Sequence, residues 1–291
     1  MFGHMVFTSS DGSMLWNIII IIFLVVNGVV GFPFKMEQTY KKLAQQAIDL
    51  CESHQAKKKQ PVWIAVTGGP GSGKSTLTDA VVDRIHAISN KKAVGIPMDG
   101  YHYTKADLKQ KQLDIRRRGA PWTFDAPKLC HDLLGTTGSA TTQTTLSLAT
   151  YCRKTSDPIP NQIQLDTQCT DIILVEGNYL TLGSLLLLDD VQFPIDDCPP
   201  NATGSWKEEC QRWKQLLAKW DQTWFISIDP KIQRQRLIRR HLKTWTPEKT
   251  LQWKGQTDEE AAAIRTDFND MPNAQLINLC QPYAHTVIPS L

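Results

Sequence analysis

The sequence lacks a strong charge bias and paired cysteines, and both absences limit what it can encode. The net charge is only +3 over 291 residues, which does not indicate the basic surface of a nucleic-acid-binding protein. The seven cysteines are scattered, odd in number and without a C-x-x-C pair, so we expect reduced thiols in a reducing compartment. The length suits one large α/β domain or two small ones, and no internal repeat is visible.

Charged residues are also absent from Met14 to Phe34. This segment is long enough to cross a bilayer, but no Lys or Arg precedes it, which argues against a secretory signal. The positive charges that follow, beginning at Lys35, would leave the rest of the chain in the cytoplasm. Alternatively, residues 1–35 come from a mispredicted start, because Met36 begins an amphipathic helix. Its apolar face would comprise Tyr40, Leu43, Ala44, Ala47, Ile48 and Cys51.

The stretch TGGPGSGKST, residues 67–76, has the spacing G-x-x-x-x-G-K-[ST] of a phosphate-binding loop. An alternating apolar run precedes it and a run with helical spacing follows, as a strand–loop–helix unit requires. The alternative, a glycine-rich turn with a surface lysine, does not account for these flanks. In such a loop Lys74 reaches the β- and γ-phosphates of a nucleotide, and the hydroxyl of Ser75 binds Mg²⁺. The predicted nucleotide-binding residues are Gly68, Gly69, Pro70, Gly71, Ser72, Gly73, Lys74, Ser75 and Thr76.

Segments with strand character alternate with segments of helical spacing along the chain. AVGIP, DIILVEG, TWFISID and HTVIP follow the first strand at intervals, and this alternation predicts an α/β fold with helices on both faces of a parallel sheet. We expect a three-layer sandwich with about five parallel strands. The domain would span residues 36–291, with an insertion near 190–205 and a mobile lid near 235–265.

Two acids are predicted at the ends of buried strands. Asp99 follows the second strand, where ligands of open α/β sheets bind, and its carboxylate could accept a proton from a substrate hydroxyl. A simple Asp-Gly turn is the alternative. Glu176 ends the run IILVE and suits a second partner of the Mg²⁺; a solvent-facing residue at a strand end is the alternative.

A basic helix is predicted at QRQRLIRRHL. Arg236, Arg239 and Arg240 share one face at helical spacing. Arginines there could stabilise a transferring phosphoryl group, although a solvated basic face has the same pattern.

The order of motifs excludes a GTPase. The stretch TKAD at residues 104–107 resembles a guanine-reading motif, but it precedes the only D-x-x-G candidate, Asp132 to Gly135. In GTPases the two motifs occur in the opposite order, so we expect ATP rather than GTP as the nucleotide.

Seven separated motifs resemble those of the uridine kinase, phosphoribulokinase and bacterial pantothenate kinase superfamily of phosphate-loop kinases. They are GGPGSGKST, MDGYHY, RRRGAPWTFD, DPIP, VEGNYL, QRLIRRHLK and NDMPNAQLI, and they occur in the family's order over about residues 37–291. The likeness is greatest to the uridine-kinase-like ATP-dependent kinases of fungi.

This resemblance implies ATP as donor, Mg²⁺ and a small hydroxyl-bearing acceptor such as a nucleoside, vitamin or sugar. It implies catalytic roles for Asp99 and Lys74, with Arg236 and Arg240 as lid arginines and Asn273 in the adenine pocket. The residues implied around the acceptor are Asp99, Tyr101, His102, Arg117, Arg118 and Asp125, and those implied at the metal are Ser75 and Glu176. The uridine kinases' nucleoside signature is not clear around residues 151–157, so a nucleoside acceptor is not specified.

The sequence therefore predicts a small-molecule kinase that acts in the cytoplasm and binds no nucleic acid. Contact with a membrane would arise only through residues 14–34, and the oligomeric state stays open, with a homodimer as one option. The competing hypothesis is a regulator or assembly factor that hydrolyses ATP without a small acceptor. A pocket walled by Asp99, His102 and Arg118 would favour the kinase.

Overall fold

The structure is a computed structural model that describes residues 31–55, 61–134, 144–152, 154–188 and 206–290; of residues 31–35 and 206 it describes only the backbone. Most of the apolar segment at 14–34 and the insertion near 190–205 lie outside these ranges. Within them, no helix combines the length and apolar character needed to cross a bilayer. The six cysteines that are described carry free thiols.

Strands and helices alternate along most of the described chain, as the sequence predicts. The helices are α1 (Gly31–Gln55), α2 (Lys74–Ile88), α3 (Lys105–Gln110), α4 (Ala126–Leu134), α5 (Trp206–Lys214), α6 (Pro230–Leu242), α7 (Pro247–Trp253), α8 (Asp258–Arg265) and α9 (Met271–Asn278). The strands are β1 (Val62–Thr67), β2 (Ala93–Pro97), β3 (Thr145–Cys152), β4 (Asp157–Asp166), β5 (Ile172–Gly177), β6 (Gln222–Ser227) and β7 (Thr286–Pro289).

A parallel five-stranded sheet in the order β2-β5-β1-β6-β7 forms the centre of the fold. Every residue of β1 is buried, because helices cover both faces of the sheet and alternate side chains enter opposite cores. Ile64 and Val66 pack with α1 and α2, whereas Trp63 and Ala65 face the second core. The predicted α/β fold with about five parallel strands is confirmed.

Helix α1 has the predicted apolar face but begins earlier than predicted. Leu43, Ala44, Ala47, Ile48 and Cys51 are buried against the sheet and α2. The helix begins at Gly31 rather than at Met36. A proline at residue 33 does not prevent this, because the first turn of a helix needs no backbone donor from it.

A two-stranded antiparallel hairpin, β3 with β4, is absent from the sequence prediction. Its second strand is largely exposed and contains two prolines, so it shows no apolar alternation. The hairpin packs on the 3₁₀ turn Met98–Tyr101 that follows β2. A Cβ placed on Gly100 would lie only 2.3 Å from the carbonyl oxygen of Ala149. This contact requires glycine and brings β3 to the carboxyl edge of the sheet.

Candidate active site

The phosphate loop leaves β1 and ends at the first residues of α2. Gly73 is the N-cap of α2 with a φ of 97°, and a Cβ there would meet nothing within 4 Å. Glycine adopts this left-handed conformation without strain. The loop thus leads directly into the N-terminus of α2, whose first N–H groups have no partner within the helix, and such a helix N-terminus can bind phosphate.

The ammonium group of Lys74 is buried within this loop. Its Nζ donates to the carbonyl oxygens of Gly68 and Gly69, at 2.9 and 3.1 Å. Burial lowers the pKa of Lys74, and the negative charges of Glu176 and Asp99 oppose that shift. A buried cation held only by backbone carbonyls can exchange these weak partners for phosphate oxygens.

Ser75 and Glu176 meet because β1 and β5 are neighbours in the sheet, with Val66 opposite Glu176. The Ser75 hydroxyl donates to Glu176 Oε1 at 2.8 Å. Burial raises the pKa of Glu176, and the charge of Lys74 opposes the rise. A hydroxyl and a carboxylate are oxygen donors of the kind Mg²⁺ prefers, so these residues fit a nucleotide-bound Mg²⁺.

A cavity of about 250 Å³ joins this pair to Asp99. It is lined by Ser75, Thr78, Asp79, Gly95, Pro97, Asp99, Thr150, Tyr151 and Glu176. The Asp99 side chain is 52% exposed, so its carboxylate is open to a ligand. Three predicted site residues, Ser75, Asp99 and Glu176, thus share one cavity at the carboxyl edge of the sheet, with α2 as its floor.

His102 lies beside Asp99 and is mostly buried, but it does not line the cavity, and neither does Arg118. Of the three walls expected for an acceptor pocket, only Asp99 is found there. Its Nδ1 is 2.8 Å from the Asp99 carbonyl oxygen; because that oxygen only accepts, Nδ1 carries the proton and Nε2 is free to accept. The imidazole lies 3.9 Å from the ring of Phe124 and 5.2 Å from that of Tyr151, between centroids. Burial lowers the pKa of His102, although Asp99 opposes this.

Tyr101 does not join the site, contrary to its predicted place beside the acceptor. Its ring is 2% exposed, and its hydroxyl donates to Asp132 Oδ2 at 3.0 Å. The 3₁₀ turn after β2 directs this side chain into the core, while Asp99 stays at the surface. Burial and Asp132 together raise the pKa of Tyr101.

The other predicted acceptor residues lie on the segment between α3 and α4. Arg118 packs against the hairpin, where Nη2 donates to Asp157 Oδ1 at 3.0 Å. Arg117 turns toward the segment 266–270, with its guanidinium 3.7 Å from the ring centroid of Phe268. Asp125 caps α4 by accepting from the backbone N–H of Lys128, a role that needs no ligand.

The two predicted lid arginines lie on α6, and the residue predicted in the adenine pocket lies on α9. Arg236 donates to the hydroxyl of Ser290, which itself donates to the carbonyl oxygen of Ser72 in the phosphate loop. Arg240 is half exposed, and its positive charge adds to the lowering of the Lys74 pKa. Asn273 is buried, and the next residue, Ala274, lies against Gly69 of the phosphate loop. The Oδ1 of Asn273 has no hydrogen-bond partner among the described residues.

The cavity also contains residues that the sequence prediction missed. Tyr151 and Thr150 come from the unpredicted hairpin, and Asp79 lies one helical turn after Ser75 on α2. The spacing of Asp79 could have been recognised, since residues four apart share a helix face. No local signal identifies Tyr151, because its position depends on the packing of Gly100 against Ala149.

Comparison with known proteins finds several kinases among the similar sequences and structures. No family model matches the chain. A uridine kinase-like protein of Schizosaccharomyces pombe is 29% identical over 243 residues, which cover 82% of this chain and 85% of the relative. A kinase of a fructose transport system from Silicibacter sp. TM1040 has a similar solved structure, with a TM-score of 0.62, 24% identity, and coverage of 86% of this chain and 98% of that one. D-Glycerate 3-kinase from Cryptococcus neoformans matches with a TM-score of 0.56 and 16% identity over 82% of this chain and 88% of that one.

The solved structures show the fold, and the S. pombe relative extends the likeness over most of both sequences. Together with the phosphate loop, Asp99 and Glu176 at one sheet edge, they support the predicted resemblance: the chain is similar to phosphate-loop kinases of the uridine kinase, phosphoribulokinase and pantothenate kinase superfamily.

Proposed function

We propose that this protein transfers the γ-phosphoryl group of ATP to a hydroxyl of a small metabolite. The observation that carries the proposal is the shared cavity, in which Asp99 faces the Ser75–Glu176 pair beside the phosphate loop. A hydrolase needs room only for water at this position, whereas this cavity continues under the hairpin to Tyr151 and Thr150. That extra space supports an acceptor molecule.

Each group has a role that follows from its surroundings. ATP supplies the phosphoryl group, and Mg²⁺ neutralises charge on its phosphates. Lys74 and the N–H groups of the loop bind the phosphates, while Ser75 and Glu176 offer oxygen atoms to the metal. Asp99 orients the acceptor hydroxyl and receives its proton. His102 holds the turn that carries Asp99, because its Nδ1–H donates to the Asp99 carbonyl.

Arg236 and Arg240 have the roles of lid arginines in this proposal. The charge of Arg240 acts on Lys74, which supports a position of its guanidinium near the transferring group. Asn273 would contribute to the adenine pocket. In this proposal the protein acts in the cytoplasm and needs no nucleic acid. Its acceptor is a nucleoside, a vitamin or a sugar-like alcohol.

The test is ADP release from ATP and Mg²⁺ by the full chain, with and without a panel of nucleosides, vitamins, sugars and hydroxy acids. We expect release to depend on one class of acceptor and to be lost in Lys74→Ala. Release at the same rate without any acceptor would instead support the ATP-hydrolysing regulator. Absence of ATP binding would overturn both hypotheses.

A further inference from the structure

Two carbonyl oxygens of the phosphate loop are held by side chains from outside the loop. Gln233, near the start of α6, donates from Nε2 to the carbonyl oxygen of Pro70 at 2.7 Å. Ser290, which follows β7, donates from its hydroxyl to the carbonyl oxygen of Ser72 at 3.0 Å. The Ser290 hydroxyl accepts in turn from Arg236 Nη1 at 2.9 Å, so its own proton is directed at the loop.

Each of these bonds sets the direction of the N–H group in the same peptide unit. In a planar trans peptide the C=O and N–H bonds point in opposite directions. The bond to Pro70 therefore turns the N–H of Gly71 away from α6, and the bond to Ser72 turns the N–H of Gly73 away from Ser290. Neither N–H donates to another described residue, so both are available to an anion at the loop.

Helix α6 lies directly against the backbone of the loop. A Cβ on Gly69 would collide with the amide of Gln233, and a Cβ on Gly71 would lie 3.1 Å from Leu237 Cγ. Gln233 and Leu237 are one helical turn apart, and both are fully buried. With no space between helix and loop, the side chains of α6 can determine how the loop peptides are oriented.

Packing alone does not explain a glutamine at position 233. Its Oε1 is buried and has no hydrogen-bond partner in the described part of the chain. An acceptor left in this way lowers stability by at least as much as a typical hydrogen bond adds. A methionine would fill nearly the same space without that oxygen. The amide of Gln233 is therefore explained by its bond to Pro70 and not by a gain in stability.

The two outside bonds matter most when a nucleotide is bound. Lys74 holds the carbonyl oxygens of Gly68 and Gly69, and under the proposed function it exchanges them for phosphate oxygens. Gln233 and Ser290 do not line the cavity, so they can keep their bonds to the loop while the site is filled.

We propose that Gln233 and Ser290 are positioning residues of the phosphate loop, which hold the N–H groups of Gly71 and Gly73 in the direction that binds nucleotide phosphates. They act through the peptide units that they hydrogen-bond, and neither touches the phosphates. This inference rests on the proposed function, because it takes ATP as the ligand of the loop. It gives the start of α6 and the end of β7 a part in ATP binding that the loop motif does not contain.

The test measures the binding of two anions to the full chain by calorimetry, ATP and inorganic tripolyphosphate, each with Mg²⁺. Gln233→Met and Ser290→Ala should each weaken both anions roughly 10-fold, as for one lost charge-assisted hydrogen bond. Binding of adenosine, which has no phosphate, should not change. The melting temperature of ligand-free Gln233→Met should not fall, because the variant removes a buried oxygen without a partner and Pro70 is exposed enough for water to replace the amide.

Two further variants serve as controls. Ser290→Thr keeps the hydroxyl and should retain the wild-type affinities. Ser184→Ala removes a bond of the same kind, from a buried hydroxyl to the carbonyl oxygen of Thr181 at 2.7 Å, in a turn that packs on α5. It should leave the binding of both anions unchanged.

Unchanged affinities in Gln233→Met and Ser290→Ala would overturn the inference. An equal loss in Ser184→Ala would also overturn it, because the effect would then be one of general destabilisation. If tripolyphosphate binding depends on Gln233 and Ser290 but no acceptor supports ADP release, the inference stands and the proposed function fails. If the wild type binds neither anion, both are wrong.

Discussion

The hydroxyl of Ser75 donates to Glu176 Oε1 over 2.8 Å, which joins the first turn of α2 to the end of β5. Glu176 is largely buried, and its pKa is raised because burial disfavours the carboxylate. The folded protein therefore holds a charge that the unfolded chain would accommodate better at neutral pH. An ionisable group whose charge lowers the stability of the folded protein in this way is typical of a binding site.

Glu176→Gln should therefore make the ligand-free protein at least as stable as the wild type. The amide keeps the shape and removes the buried charge, while stabilisation by ATP and Mg²⁺ should shrink because the proposed metal ligand is lost. Thermal unfolding with and without ATP and Mg²⁺ measures both effects. Glu209→Gln is the contrast: Glu209 is fully buried but accepts from Arg212 and Trp213, so its loss should cost roughly 1–3 kcal/mol. A ligand-free Glu176→Gln protein less stable than the wild type would contradict the argument.

Lys74→Ala and Asp99→Asn should fail in different ways. Lys74 lies inside the phosphate loop, so its loss should weaken ATP binding as well as turnover. In the proposed function Asp99 faces the acceptor, and an amide in its place cannot take a proton. Nucleotide affinity should survive, while transfer falls by about 10²- to 10⁴-fold, nearer the lower end for a dissociative transition state. If Asp99→Asn left transfer intact, or abolished ATP binding as Lys74→Ala does, its assignment as base would be withdrawn.

ATP should be preferred over GTP. The stretch that resembles a guanine-reading motif has a structural role here: Thr104 caps α3, and Asp107 accepts from the backbone N–H and the hydroxyl of Thr104 at 3.0 and 2.7 Å. Competition binding of the two nucleotides tests the preference. Asp107→Asn should weaken the helix without changing the ratio of the two affinities. GTP binding as tight as ATP binding would show that another segment reads guanine.

The sequence predicted those features that are encoded locally. The strand at 62–67 and the phosphate loop depend on neighbours in the chain, and the acids Asp99 and Glu176 could be placed because parallel strands end at one sheet edge. Tyr101 was placed beside the acceptor by the family resemblance alone, whereas the 3₁₀ turn after β2 buries its ring. The hairpin was missed because β4 is exposed and polar. Arg118 was predicted near the acceptor. Its hydrogen bonds to Tyr103 and Asp157 depend on the tertiary packing of the hairpin, and no spacing in the sequence indicates them.

Acidification should destabilise the protein partly through His102. Its pKa is lowered by burial, so below the ordinary histidine pKa of about 6.5 the unfolded chain binds a proton that the folded chain does not. Stability is then lost as the pH falls from 6.5 toward the lower folded-state pKa. The slope for one such group is at most about 1.4 kcal/mol per pH unit.

His102→Asn is the informative variant, because the asparagine Nδ2 can replace Nδ1–H as donor but does not titrate. Urea unfolding between pH 7.5 and 5.5 should show a smaller loss for this variant than for the wild type. His131→Asn, at an exposed imidazole, serves as the matched control and should follow the wild type. Parallel curves for all three proteins would mean that the protonation of His102 is not linked to folding.

Gly100→Ala should separate the acceptor side of the site from its nucleotide side. The new methyl group would meet the Ala149 carbonyl at about the 2.3 Å found for an ideal Cβ, and backbone atoms cannot yield as a flexible side chain can. The hairpin must then shift, at a cost of roughly 1–3 kcal/mol. ATP affinity should be unchanged, since the phosphate loop is untouched, while acceptor-dependent turnover falls.

Gly73→Ala should have the opposite effect. Its methyl group would meet open space, but the φ of 97° at this position is strained for alanine, so ATP binding should weaken while the hairpin stays in place. Unfolding curves, ATP affinity and turnover of both variants decide the matter. If Gly100→Ala reduced ATP affinity as much as turnover, the hairpin would belong to the nucleotide site, and the division of the cavity into two sides would be wrong.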